Sequence, residues 1–139
     1  RRIVVESARR LGALGPDVLK IELPVSTNFE SDRGVWAEAC EELDEAAPVP
    51  WVLLSAGDPF ELFKEQLEVA CRAGCSGFLA GRAIWREAVR LHGDELDDFL
   101  ATTAREHFVE LSAIAAEYAR PWYERYKFSV IDERWYREY

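Results

Sequence analysis

Trp51-Val-Leu-Leu-Ser-Ala-Gly57 is the stretch on which the fold turns. Its first five residues form a nearly continuous apolar run, too short for a buried helix, and a small-residue turn ends it. Such a run predicts a strand of a parallel sheet covered on its faces. Asp58 follows as the expected helix cap, with Pro59 at the first helical position and Glu61 at the third. The helix carries Phe60, Phe63, Leu67, Val69, Ala70 and Ala73, and it stops at Gly74.

The same alternation continues in both directions. Upstream, Asp17-Val-Leu-Lys-Ile-Glu-Leu-Pro24 reads as a strand ended by proline, and Val25 to Ser31 as a loop. Asp32 to Ala47 reads as a helix with Val35, Trp36, Ala39, Cys40 and Leu43 on one face, closed by Pro48 and Pro50. Before the first strand, Arg1 to Leu14 reads as an amphipathic helix. Its expected apolar face is Ile3, Val4, Ser7, Ala8, Leu11 and Leu14. Downstream, Cys75-Ser-Gly-Phe-Leu-Ala80 is a third short strand. Gly81-Arg82 turns into a helix from Ala83 to about Leu91, and Asp94 to Ala119 is a long helical stretch. The tail from Pro121 to Tyr139 is aromatic. The order α, β, α, β, α, β, α, α predicts an α/β protein with a parallel sheet. No internal boundary interrupts it, so residues 1–139 are read as one domain.

Composition narrows the functional classes. Of the 139 residues, 49% are apolar and 31% charged, which argues for a packed core. The net charge of −9 predicts no nucleic-acid partner, because a phosphate backbone calls for a basic surface. A local basic pocket still suits a small phosphorylated molecule. Cys40, Cys71 and Cys75 are odd in number and share no repeated spacing, which predicts free buried thiols in a cytoplasmic protein. Neither His92 nor His107 completes a zinc pattern with them, so no metal is expected. The longest uncharged run, Ala46 to Gly57, is shorter than the ~18 residues of a membrane span. Arg1-Arg2 leads straight into an amphipathic segment, so no signal peptide is expected.

Three positions carry candidate chemistry. Lys20 sits inside an apolar strand, on the same face as Val18 and Glu22. One reading is a structural ion pair with Glu22. The other is a nucleophilic amine. At the reference pKa of ~10.4 only about one lysine in 2,500 is a free amine at pH 7, and an apolar enclosure raises that fraction. Ser55-Ala56-Gly57 lies between a strand and a helix N-terminus. Small residues there let backbone N–H groups approach an anion, or simply make a tight turn. Gly81-Arg82 repeats the arrangement one strand later. Its arginine offers a fork of donors to a phosphate, or to a surface carboxylate. Two such turns on successive strands match the phosphate site that βα-barrels build after their last two strands.

Four blocks carry a resemblance to a known family. Asp17 to Pro24, Trp51 to Gly57, Gly77-Phe-Leu-Ala-Gly-Arg-Ala-Ile-Trp85 and Ala119-Arg-Pro-Trp-Tyr-Glu-Arg-Tyr126 together resemble the class I tagatose-bisphosphate aldolases, and their sulfofructosephosphate aldolase relatives. The resemblance implies a (β/α)8 barrel and Schiff-base chemistry without metal or cofactor. Lys20 matches the Schiff-base lysine. Ser55 and Gly57 match one phosphate-binding turn, and Gly81 with Arg82 matches the next. Glu22 fits the motif as a possible supporting residue.

The implied reaction is reversible cleavage of a phosphorylated ketose such as tagatose 1,6-bisphosphate. Its products are dihydroxyacetone phosphate and glyceraldehyde 3-phosphate. A full barrel takes about 250 residues and eight strands. Only three strands are predicted here, so the chain resembles the C-terminal half of the family, from the helix before the lysine strand onward. The family's acidic proton-transfer residue and second lysine belong to strands with no counterpart here. Expected partners are a phosphorylated sugar and either another copy of the chain or the missing N-terminal half. The competing expectations are a remnant that binds sugar phosphate without catalysis, and an assembly module using Trp135, Tyr136 and Tyr139.

Overall fold

The computed structural model of the chain describes residues 1–127. Three parallel strands form its sheet in the order β1-β2-β3: β1 (Leu19–Ile21), β2 (Trp51–Leu54) and β3 (Phe78–Leu79). Leu19, Lys20 and Ile21 pair with Trp51, Val52 and Leu53; Leu53 and Leu54 pair with Phe78 and Leu79. The strands are shorter than the apolar runs that predicted them. Asp17–Pro24 shrinks to three residues because β2 alone pairs with β1, and only residues opposite it join the ladder. Cys75–Ala80 shrinks to two for the same reason. Ser55 lies just past β2, but its N–H still reaches the Leu79 carbonyl at 3.3 Å.

The two sheet faces differ sharply. Side chains alternate along a strand, so Leu19, Ile21, Trp51 and Leu53 share one face. Trp51 and Leu53 are fully buried there. Lys20, Val52, Leu54 and Leu79 share the other. Lys20 is exposed, and Leu79 is 50% exposed. The expectation of a sheet covered on its faces is therefore met on one side only. Among the described residues no layer covers the other side, and neither outer edge of the sheet has a neighbouring strand.

The helices α1 (Arg2–Gly12), α2 (Arg33–Ala46) and α3 (Phe60–Arg72) pack in succession, and α1 also rests on β1. In α2 the buried positions are Trp36, Ala39, Cys40 and Leu43, at the predicted spacing, and Asp32 caps the helix by accepting from the Gly34 N–H at 2.8 Å. In α1 the predicted face holds at Ala8, which is buried, and at Val4, which packs half-buried against the core, and is corrected elsewhere. Val5, Ala8 and Gly12 are buried, whereas Ile3 and Leu14 are about 80% exposed and Leu11 is 54% exposed. Gly12 is buried because Pro48 crosses it; a Cβ there would meet the Pro48 ring at 2.5 Å. The Ile3–Leu11 stripe borders the groove along the free edge of β1 instead.

The Asp58 cap is a second correction. Helix α3 starts at Phe60 with Pro59 as its cap and no side-chain cap bond. The Asp58 carboxylate turns away and accepts from Gln66 Nε2 at 2.8 Å. After β3, the predicted helix Ala83–Leu91 is a single turn, α4 (Arg82–Trp85), followed by 3₁₀ turns over Arg86–Arg90. The stretch Asp94–Ala119 is helical but changes hydrogen-bond pattern. It runs as α5 (Asp94–Phe99), a π segment (Leu100–Ala104) and α6 (Arg105–Tyr118), which packs on α3. Among the described residues no helix is long and apolar enough to cross a membrane.

The block from Ala119 to Tyr126 clasps the N-terminal ends of the strands. The Arg120 N–H donates to the Cys75 carbonyl at 3.0 Å, just before β3. The Arg125 guanidinium donates to the Ala47 carbonyl at 3.1 Å, ahead of β2, and to the Asp44 carboxylate. Tyr126 Oη donates to the Asp17 carbonyl, ahead of β1. Asp44 is the hub: Arg120 also pairs with it at 3.2 Å, and the buried Trp51 Nε1 donates to it at 2.9 Å. Of the predicted aromatic tail, Phe128, Trp135, Tyr136 and Tyr139 lie outside the described residues.

Cys40, Cys71 and Cys75 are free and buried, as their number and spacing predicted. Burial pushes the Cys40 thiol from its ordinary 9.0 up to about 12, with Cys75 and Glu41 adding to it. The folded chain therefore holds this proton more tightly than the unfolded chain. The stability it contributes is intact below pH 9 and is lost as pH rises from 9 to about 12. Urea midpoints are expected to fall between pH 8.5 and 10.5, and to fall less in Cys40→Ala. Equal falls in both proteins would count against the buried Cys40 thiol as the cause.

Candidate active site

Parallel strands put the turns that follow them at one end of the sheet, and the three predicted positions meet there. Lys20, Ser55, Gly57, Gly81 and Arg82 all line one cleft of about 320 Å³. Leu54, Leu79 and Trp85 form its apolar walls. Lys20 reaches it because it belongs to the uncovered sheet face: its partner Val52 lies two residues before Leu54, which pairs with Leu79. Ser55 and Gly57 reach it from the turn between β2 and α3. Gly81 and Arg82 reach it from the turn after β3.

Glu22 does not join them. Strand β1 ends at Ile21, and Glu22 borders two neighbouring clefts, one of which Lys20 also lines. Among the described residues no ion pair links it to Lys20, so the structural pairing suggested by their spacing is not formed. The apolar enclosure that favours a neutral amine is not built either, because Lys20 is exposed.

The two turns interlock. Gly57 has φ +88°, a left-handed conformation that costs an L side chain energy. The Arg82 guanidinium lies against its bare Cα: a Cβ on Gly57 would sit 2.8 Å from both Cζ and Nη2. Nη2 donates to the Ala56 carbonyl at 3.3 Å. Arg82 is thus held across the first turn by one of its five N–H donors, and the rest remain for a ligand. A side-chain cap on α3 would occupy its N-terminal donors and count against an anion here. That cap is absent, and the Asp58 carboxylate is committed to Gln66. The first-turn N–H groups of this 13-residue helix keep their partial positive charge.

Sequence reasoning missed Trp85 as a lining residue. It lies four residues after Gly81, one helical turn on, which returns it to the same side. That spacing was the available signal. The Ala56 carbonyl that anchors Arg82 left no signal in residue type.

A βα repeat with a lysine and two anion-suited turns at one end of its sheet defines a class, and comparison gives the family. Residues 1–87 match the model described as DeoC/LacD family aldolase, and the chain belongs to that family. It is 33% identical over 129 residues to a protein named tagatose 1,6-diphosphate aldolase from Listeria monocytogenes (serotype 4a, strain HCC23), covering 81% of this chain and 38% of the relative. It is 34% identical over 136 residues to tagatose 1,6-diphosphate aldolase 2 from Streptococcus mutans, covering 87% and 40%. It is 32% identical over 126 residues to tagatose 1,6-diphosphate aldolase 1 from Streptococcus pyogenes (serotype M3, strain MGAS315), covering 80% and 39%. The chain thus spans roughly two fifths of the length of the curated relatives it matches.

Proposed function

We propose that this chain is the C-terminal portion of a class I aldolase barrel acting on a phosphorylated ketose, with tagatose 1,6-bisphosphate as the leading substrate. The observation that carries the reading is the meeting of Lys20 with Ser55, Gly57, Gly81 and Arg82 in one cleft. Lys20 is the Schiff-base residue. Its Nζ adds to the ketone carbon of dihydroxyacetone phosphate, and water leaves as the iminium forms. The iminium withdraws electrons from the neighbouring carbon, which gives up a proton and becomes an enamine carbon. That carbon attacks glyceraldehyde 3-phosphate, and hydrolysis of the new iminium frees Lys20. Cleavage is the reverse. The two turns hold the phosphate, so the carbonyl stays within reach of the amine.

The uncovered face and the two free sheet edges favour a partner that supplies further strands, either another copy or an N-terminal half. The family and the three free thiols favour a cytoplasmic setting. A second reading is favoured by the exposure of Lys20: a chain that binds sugar phosphate without forming the imine.

Trapping separates the two. The chain is incubated with dihydroxyacetone phosphate and reduced with borohydride, and the intact mass and modified peptide are measured. The expected result is one adduct on Lys20, abolished in Lys20→Arg. Phosphate binding without an adduct would reject catalysis by this chain and leave the binding reading standing.

A further inference from the structure

We propose that the indole N–H of Trp85 donates a hydrogen bond to the phosphate bound in the cleft beside Gly57 and Arg82, making Trp85 a substrate-binding residue. The inference rests on the phosphate site proposed above and adds a donor that the sequence reading did not assign.

An indole N–H donates and cannot accept, so it suits an anion and is wasted without an acceptor. Two other tryptophans spend theirs on the protein. Trp36 donates to the Glu30 carbonyl at 3.0 Å, and Trp51 donates to Asp44 at 2.9 Å. Among the described residues Trp85 Nε1 has no acceptor. Yet Trp85 is not buried in the core; it is 43% exposed and forms a wall of the cleft that holds Lys20 and Arg82.

The position of that N–H is specific. The nitrogen edge of the ring faces Gly81, so a Cβ on Gly81 would sit 3.4 Å from Nε1 and 3.8 Å from Cε2. A side chain at residue 81 would therefore crowd the nitrogen edge of the ring. Glycine leaves it open towards the turn that Arg82 follows. Arg82 spends one N–H on the Ala56 carbonyl, and a phosphate has more acceptor sites than the remaining fork satisfies. A donor on the far side of Gly81 complements it. The absence of a side chain at Gly81 thus has a use beyond turn geometry.

The test follows the indole resonance directly. The ¹⁵N-labelled chain is titrated with inorganic phosphate and with glycerol 3-phosphate, and the Trp85 indole cross-peak is identified by its disappearance in Trp85→Phe. That substitution keeps an aromatic ring in the wall and removes the N–H together with the five-membered ring that carries it. The cross-peak is expected to shift downfield and saturate with the ligand, and Trp85→Phe is expected to weaken binding about tenfold, the scale of one hydrogen bond to a charged group. Thermal melts of Trp85→Phe check that the fold is retained. If Arg82→Ala loses binding while Trp85→Phe binds like the parent, the inference is overturned and the phosphate site stands. If the parent chain binds neither ligand, the phosphate-site reading itself fails, and the inference with it.

Discussion

Asp44→Ala is expected to destabilise the chain by about 4 kcal/mol, the scale found when one partner of a buried ion pair is removed. Three groups lose their acceptor at once. Arg125 is the costly one, because its side chain is only 18% exposed and Asp44 only 14%, so water does little to replace the pair. Trp51 Nε1 is buried and left without a partner, which alone costs about 1–3 kcal/mol. Arg120 is 41% exposed and contributes little, since solvent screens it. Against a total stability of about 5–15 kcal/mol, such a loss leaves a small domain near its limit. Urea denaturation measures it, and a change under 1 kcal/mol would remove Asp44 from its place as hub. Asp44→Asn keeps an acceptor for Trp51 and loses the charge, so its cost should fall between the two. The clasp lies at the opposite end of the strands from the Lys20 cleft. Phosphate affinity of Asp44→Ala, measured below its melting temperature, is therefore expected to match the parent. In βα architectures that division is general, with stability at one end of the sheet and chemistry at the other.

The contrast between Asp44 and Lys20 explains what the sequence made readable. Lys20 is legible because a charge inside an apolar strand breaks a local pattern. Ser55-Ala56-Gly57 and Gly81-Arg82 are legible because small residues recur after successive apolar runs. Asp44 is one of 26 acidic residues and sits in an ordinary amphipathic helix. Its partner Arg125 is 81 residues away, and no local rule connects them. The block around Arg125 was readable as part of the family resemblance, but its role as a clasp was not. Misread elements fail for a related reason. Periodicity finds apolar stripes and not their neighbours. On α1 it selected Ile3 and Leu11, which border the groove at the free edge of β1, and Leu14, which lies exposed beyond the helix end, over Val5 and Gly12, on the side that meets α2, β1 and Pro48. For α3 it found the start but assigned the cap to Asp58, whose carboxylate has a better-placed donor in Gln66. Strand alternation puts Lys20 on the face opposite Leu19 and Ile21, and it lies there, but the described residues do not enclose that face.

Gly57→Ala is expected to reduce phosphate affinity by ten- to a hundredfold, about the worth of charge-assisted hydrogen bonds from one arginine. Two costs arise together. The first is conformational: φ +88° places an alanine in a strained region at about 1–2 kcal/mol. The second is steric. The new Cβ would lie 2.8 Å from Arg82 Cζ and Nη2 and 3.2 Å from Nε, well inside contact distance. The backbone turn is fixed between β2 and α3, whereas the guanidinium is the end of a flexible side chain. Arg82 therefore yields, its bond to the Ala56 carbonyl breaks, and the fork leaves the cleft. Stability should fall only by the conformational cost, while binding falls much further. A double-mutant cycle isolates this route. If Gly57→Ala acts by expelling Arg82, then Gly57→Ala combined with Arg82→Ala should bind phosphate as weakly as Arg82→Ala alone, within about twofold. Independent, additive losses would instead mean that Gly57 serves the phosphate through its own backbone N–H, with Arg82 contributing separately. The same cycle read by borohydride trapping links the turn to the amine. Expelling Arg82 should slow adduct formation with dihydroxyacetone phosphate and leave trapping of unphosphorylated dihydroxyacetone at Lys20 unchanged, because only the phosphorylated ketone uses the turns to reach the lysine.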